Sequence, residues 1–476
     1  MNRPIIRLYA FVAVLFALLV VFTSRWTVFE ASSLRDNPLN ARKLLEQEHI
    51  KRGEILAANG TVLARSLPGR EGTYTRTYPT GSLFAHPIGY YYTELGDSGL
   101  ERFRNDELEG QTSTNLQSIL NQLQGVKPDG EKVLTTLDPT AQRVAQHALG
   151  AHHGAIVALD PRSGAVRVMV STPSYEPNSL RTPAGVARLE RDRAGALVNR
   201  ATQDGYAPGS TFKVVTATAA IDSGAYTPDS TVSGRDNVRI SGVPLSNDNN
   251  ENFGQITLTE GLVKSVNTVY AQVAESLGKR TMARYMDRFG FNHEPQLDYP
   301  SAQMSVSAEY QGVRPIRPTS PRVDVGRMGI GQDKLEVTAL QMAEVASAVA
   351  DGGRLMEPHL TRRIVDAEGR TVKRVSPHVQ SVVMKPSTAR SVGAMMQAVV
   401  EEGTGTAARI PGVPVAGKTG TAQTQIGNAI NNVWFIAFAP VPAPRVAVAV
   451  TLQAVPGFGG AFAAPVAREV IESLLR

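Results

Sequence analysis

The chain has 476 residues, 42% hydrophobic and 19% charged, with Gly 42 and Pro 29; this suits about two to four folded domains and excludes collagen, coiled coil and wholesale disorder. Lys+Arg 49 against Asp+Glu 43 gives a net charge of +6 with no run of five or six like charges, which argues against a nucleic-acid partner. Cys 0 removes disulfides, thiol catalysis and cysteine zinc sites; with His 8, a histidine metal site or a Ser-His-Asp triad has few candidates, so neither metal nor cofactor is expected.

Every residue from Leu8 to Phe22 is apolar or aromatic. From Pro4 to Ser24 the run makes a helix of about 31 Å, enough to cross a bilayer. A cleaved signal peptide is the alternative, but Phe29-Glu30-Ala31 is a poor cleavage site. Arg25 and Trp26 suit an interfacial girdle, and Arg3 and Arg7 before the run put the tail in the cytoplasm and the body outside. Residues 25 to 130 are polar and turn-rich (Tyr78-Pro79-Thr80-Gly81, His86-Pro87-Ile88-Gly89), with a helix expected near Asn115–Leu123.

The texture changes from Val133 onward. Gln142–Leu149 reads as a helix after which His152-His153 forms a solvated turn, and Ala155–Leu159 and Ala165–Val170 read as strands joined by Asp160-Pro161-Arg162-Ser163-Gly164. Val214–Ile221 and Leu340–Ala350 read as buried helices, Leu258–Leu277 as a mostly helical stretch, and Val433–Ala439 and Arg445–Thr451 as strands. Strands at both ends with helices between predict one large α/β or α+β domain. The expected division is therefore 1–24 (tail and anchor), 25–130 (N-terminal module) and 131–476 (main domain).

Three short motifs carry the chemistry. Ser210-Thr211-Phe212-Lys213 follows Pro208-Gly209 and opens a buried helix, so Ser210 and Lys213 share a face. A serine needs a base to become nucleophilic, and a lysine serves only if desolvation lowers its pKa, which the apolar helix offers. Ser276-Leu277-Gly278-Lys279 is a second match, read as surface. Ser265-Val266-Asn267 supplies a hydroxyl able to relay a proton and an amide able to donate and accept; Ser113-Thr114-Asn115 repeats the pattern and reads as a helix cap. Taken alone, Ser265 and Asn267 suit capping or helix packing better than they suit chemistry. Lys418-Thr419-Gly420-Thr421 reads as a strand whose glycine admits a second backbone, so that an extended peptide can pair with its edge. The three stand in order with gaps of 55 residues (210 to 265) and 153 (265 to 418). The trio is a signature shared by class A β-lactamases and penicillin-binding proteins.

The chain resembles the class B, high-molecular-mass penicillin-binding proteins along nearly its whole length. Besides the trio, Arg52-Gly53-Glu54-Ile55, Gly99-Leu100-Glu101 with Leu108-Glu109-Gly110, Thr136-Leu137-Asp138, Gly331-Gln332, Gly403-Thr404-Gly405-Thr406 and Trp434-Phe435 are similar to that family's markers. The short N-terminal module is most similar to the PbpA type of actinobacteria. Ala57-Ala58 departs from the Asp-Arg pair that many relatives carry. The segment before residue 130 is too short for the glycosyltransferase domain of class A members.

The resemblance implies a transpeptidase domain with a central antiparallel sheet flanked by helices, on an elongated non-catalytic pedestal. It implies that Ser210 attacks the penultimate D-Ala carbonyl of a peptidoglycan stem peptide, with Lys213 as base. Ser265 and Lys418 would pass a proton to the departing D-Ala, Asn267 would hold the donor amide, and Thr419 and Thr421 its carboxylate. The backbone N–H groups of Ser210 and Thr421 would hold the oxyanion, Gly420 keeping the strand open between them. Implied partners are stem peptides, β-lactams and a membrane glycosyltransferase of the shape, elongation, division and sporulation (SEDS) family. A D,D-carboxypeptidase, a β-lactamase-like hydrolase, and a non-turnover sensor or scaffold stay open as rival readings.

Overall fold

The computed structural model describes residues 3–25, 47–111, 129–423 and 430–476. The helix expected at Asn115–Leu123 and the Ser113-Thr114-Asn115 repeat lie outside the described residues. The apolar N-terminal run forms one helix, Arg3–Ser24, with no buried residue; it is long and apolar enough to cross a membrane.

The N-terminal module rests on a six-stranded sheet in the order Thr371–Arg374, Thr361–Val365, Lys132–Thr135, Ile55–Leu56, Val62–Pro68, Tyr74–Thr77. Ile55 pairs in parallel with Val133 and antiparallel with Ala64, so the sheet crosses the boundary expected at residue 130 and draws three strands from beyond it. Two sequence markers meet behind it. Arg52 reaches Glu101 at 3.1 Å and Glu109 at 3.0 Å, and Arg76 reaches Glu101 at 2.6 Å, all with side chains at most 3% exposed. Two guanidinium groups against two carboxylates leave no net charge to bury.

The main domain is built on a five-stranded antiparallel sheet ordered Ala416–Gln423, Asn431–Ala439, Val446–Val455, Gly154–Leu159, Val166–Thr172. Its strands are buried on both faces, and alternation divides their side chains. Ile156, Ala158, Phe435 and Val448 pack against Ala145 of helix Pro139–Leu149 and Val470 of helix Gly459–Leu475. Ala155, Val157, Trp434 and Ile436 belong to the larger core around helices Lys213–Asp222, Asn267–Arg288, Ala339–Ala350 and Pro386–Glu401. The helices and strands expected here form, and His152 and His153 are exposed in the turn between helix and strand.

The stretch Leu258–Leu277 is mostly helical, as expected, but in two pieces: Leu258–Val263 ends, Lys264–Val266 break the path, and a second helix runs Asn267–Arg288 with a kink at Gly278. Ser265 occupies the break at φ 60, a left-handed conformation that β-carbon sterics disfavour. No periodicity announces such a break.

Candidate active site

The three motifs converge from three elements. Ser210 lies on a single turn, Gly209–Phe212, that runs straight into the buried helix Lys213–Asp222. That turn is wedged between backbones. A β-carbon on Gly420 would lie 2.6 Å from the Pro208 carbonyl oxygen, and one on Gly331 2.0 Å from that of Gly209. The buried Trp434 indole donates to the Ala207 carbonyl at 3.0 Å, fixing the loop from the sheet side. Gly331, noted in the sequence only as a marker, thus acts by closeness to the nucleophile turn.

Lys213, fully buried, donates to the Ser265 carbonyl at 2.6 Å and to Asn267 Oδ1 at 2.7 Å, with Ser265 Oγ at 3.4 Å. Lys418, also fully buried, donates to the same Ser265 Oγ at 2.9 Å and to the Thr419 carbonyl at 3.0 Å. No side-chain hydrogen bond joins Lys213 to Ser210 among the described residues; the lysine is held on the Ser265-Val266-Asn267 segment instead. Burial pushes the Lys213 amine down to about 7, against the opposing pull of Asp248. Burial, and then the charge of Lys213, push Lys418 far below the usual lysine range, Asp248 again opposing. A desolvated lysine that is about half neutral near pH 7 can accept a proton.

Asn267 is the first residue of its helix, and its side chain does not cap it. The cap comes from a distant loop: Asn247 Oδ1 accepts from the Thr268 N–H and hydroxyl, both at 3.0 Å. This frees the Asn267 amide for Lys213 on one side and Asp248 Oδ1, at 3.3 Å, on the other.

The strand Ala416–Gln423 is the sheet edge, with Lys418 opposite Ile436 and Thr421 opposite Val433. Alternation turns Lys418 and Gly420 toward the nucleophile turn and sets Thr419 and Thr421 in the wall of a cleft of about 900 Å³. The same cleft is lined by Ser210, Ser265 and Asn267. Thr404 and Thr419 share a 2.6 Å hydroxyl bond, and the Gly459 N–H, at the start of the last helix, donates to Thr421 Oγ1 at 3.2 Å. Asn247, Asp248, Gln332, Thr404 and Phe458 line the cleft and were not among the sequence-derived site residues. The second Ser-x-x-Lys match stands apart: Lys279 donates to the Ser320 carbonyl at 2.8 Å.

A serine turn pinned beneath an edge strand, beside two dry lysines, has the parts that serine acyl transfer needs. The penicillin binding protein transpeptidase domain profile matches residues 154–472, and the penicillin binding protein A dimerisation domain profile matches residues 52–133. The chain belongs to the penicillin-binding protein transpeptidase family. It is 33% identical to the peptidoglycan D,D-transpeptidase PbpA of Mycolicibacterium smegmatis, over 100% of this chain and 99% of that protein. It is 28% identical to the peptidoglycan D,D-transpeptidase MrdA of Escherichia coli, over 89% and 75%. Among solved structures, the ceftriaxone acyl-enzyme complex of penicillin-binding protein A from M. tuberculosis superposes with a TM-score of 0.82 at 30% identity, covering 91% of this chain and all of that one. A D,D-transpeptidase domain from Eggerthella lenta gives a TM-score of 0.78 at 32% identity, covering 90% and 98%.

Proposed function

We infer that this chain is a peptidoglycan D,D-transpeptidase, a serine enzyme that β-lactams acylate. The observation that carries the reading is the meeting of Lys213 and Lys418 on Ser265, in the cleft that Ser210 and the edge strand share. A donor stem peptide lies along Ala416–Gln423, its terminal carboxylate on Thr419 and Thr421 and its amide on Asn267. Ser210 Oγ attacks the penultimate D-Ala carbonyl while Lys213, turning from Asn267, takes the hydroxyl proton. The oxyanion rests on the backbone N–H groups of Ser210 and Thr421. Ser265, hydrogen-bonded to Lys418, returns a proton to the leaving D-Ala amine, and an amine of a neighbouring stem then displaces Ser210 to form the cross-link. The membrane helix leaves a short tail in the cytoplasm and holds the pedestal (25–130) and the transpeptidase domain (131–476) outside, beside a SEDS-family glycosyltransferase that supplies new strands.

The test is covalent labelling of the full chain with a fluorescent penicillin, alongside Ser210→Ala. A slowly released adduct mapped to Ser210 and lost in the variant supports the reading, and fast release points to a β-lactamase. Folded protein that takes no label at all would overturn it.

A further inference from the structure

The cleft wall carries one charge. Of the described residues lining it, Asp248 is the only one with a charged side chain; both lysines lie beneath the surface. Its carboxylate is held in place. Asn249 and Asn250 after it both sit at φ 56. Asn247 before it is buried, donating to the Gly234 and Glu251 carbonyls at 3.0 Å each while capping Thr268. Asparagine enters the left-handed region readily, and the buried bonds of Asn247 anchor the loop that carries Asp248. Asp248 Oδ1 accepts from Asn267 Nδ2, whereas Oδ2 takes no hydrogen bond among the described residues.

The two substrates of a cross-linking reaction differ in sign at their reacting ends. The donor ends in a carboxylate, for which the hydroxyls of Thr419 and Thr421 line the cleft. The acceptor brings an amine that is protonated at neutral pH, and Asp248 is the one charged side chain among the described lining residues that can receive it. We propose that Asp248 is the acceptor-recognition residue of this enzyme, its free carboxylate oxygen receiving the incoming primary ammonium on the wall opposite Thr419 and Thr421. The inference rests on the transpeptidase reading and selects cationic primary amines as acceptors. In the step that follows, the nitrogen gives one proton to neutral Lys213, which releases it to solvent. The N–C bond forms, the C–Oγ bond of the ester breaks, and the nitrogen's second proton goes through Ser265 to Ser210 Oγ.

The test uses the detergent-solubilised full chain, an N-acyl-D-alanyl thioester as donor, and a synthetic stem tetrapeptide with a free side-chain amine competing with water. The readout is the ratio of aminolysis to hydrolysis at subsaturating acceptor. Asp248→Asn keeps the oxygen that Asn267 uses and removes the charge; the ratio is expected to fall about tenfold, the worth of one charge-assisted hydrogen bond, and Asp248→Glu to recover part of it. Added salt should lower the ratio in the wild type and leave Asp248→Asn unmoved. An unchanged ratio overturns the proposal. So does equal loss of acylation and aminolysis, which would make Asp248 a support for Asn267 and Lys213. A wild type that forms no acyl-Ser210 with the donor overturns the transpeptidase reading itself.

Discussion

Lys213 and Lys418 bring their amines to one oxygen atom, Ser265 Oγ, at 3.4 and 2.9 Å. Two ammonium groups cannot share a dry site without strong repulsion, so burial and mutual charge both favour neutral amines. The consequence is a pH dependence of acylation. With Lys213 held near 7, the base is protonated below that value and free above it. The penicillin acylation rate should climb roughly tenfold per pH unit below about 7 and level off above it. Lys213→Ala should cost about 10²- to 10⁴-fold, and Lys213→Arg should not rescue, since a guanidinium stays charged. Second-order acylation rates across this range decide the matter; a flat profile, or a Lys213→Ala variant acylating normally, would remove Lys213 from the base role.

The backbone at Ser265 is strained for a purpose, and two substitutions separate strain from chemistry. At φ 60 a glycine is comfortable and an alanine is not. Both Ser265→Gly and Ser265→Ala lose the hydroxyl between the lysines, so both should fall together in cross-linking rate. Ser265→Gly should nevertheless be the more stable by about 1 kcal/mol. Paired thermal melts and turnover assays read this; a more stable alanine variant would mean the left-handed turn carries no strain.

The three motifs that meet in the cleft were legible before any fold was known, because each is short and locally encoded: Ser210 and Lys213 sit one turn apart, and Lys418 to Thr421 are consecutive. The illegible parts are tertiary. The capping of Thr268 by Asn247, 21 residues away, leaves no periodic mark; the Asn-rich run around it reads only as a turn. The Leu258–Leu277 stretch reads as mostly helical, but its pattern does not locate the three-residue break at Lys264–Val266. The six-stranded sheet was equally hidden, since Ile55 finds Val133 and, beyond it, Ile364 through pairings set by long-range contact.

Gly420 is required by space rather than by dihedral angle. Its missing β-carbon would meet the Pro208 carbonyl oxygen at 2.6 Å and Trp434 Cβ at 3.0 Å, neither of which can swing away. Gly420→Ala must therefore push the edge strand off the nucleophile turn. We expect a stability loss of about 1–3 kcal/mol, as for overpacking elsewhere, together with a loss of penicillin acylation of at least about 100-fold, since small misplacements of reacting groups are costly. Labelling rate and melting temperature of the same preparation test this; near-normal labelling would show that the strand and turn can part without harm.

Asp298 ties the two modules together through one carboxylate. It accepts from the Leu360 and Thr361 N–H groups at 2.5 and 2.9 Å and from Arg104 at 3.1 Å. Arg104 in turn donates to the Thr361 hydroxyl at 3.1 Å. Thr361 begins a strand of the N-terminal sheet although it lies in the later part of the chain. Asp298→Ala would leave two buried N–H groups and a guanidinium without this acceptor, a loss of about 3 kcal/mol. Asp298→Asn keeps oxygen at one position and should lose less. The loosened junction should also raise protease cleavage near residues 357–361, while penicillin labelling at the proposed nucleophile, Ser210, persists at low temperature. Thermal melts and timed proteolysis of the full chain measure both effects, and an Asp298→Ala variant that melts with the wild type would show that the six-stranded sheet holds this junction without the carboxylate.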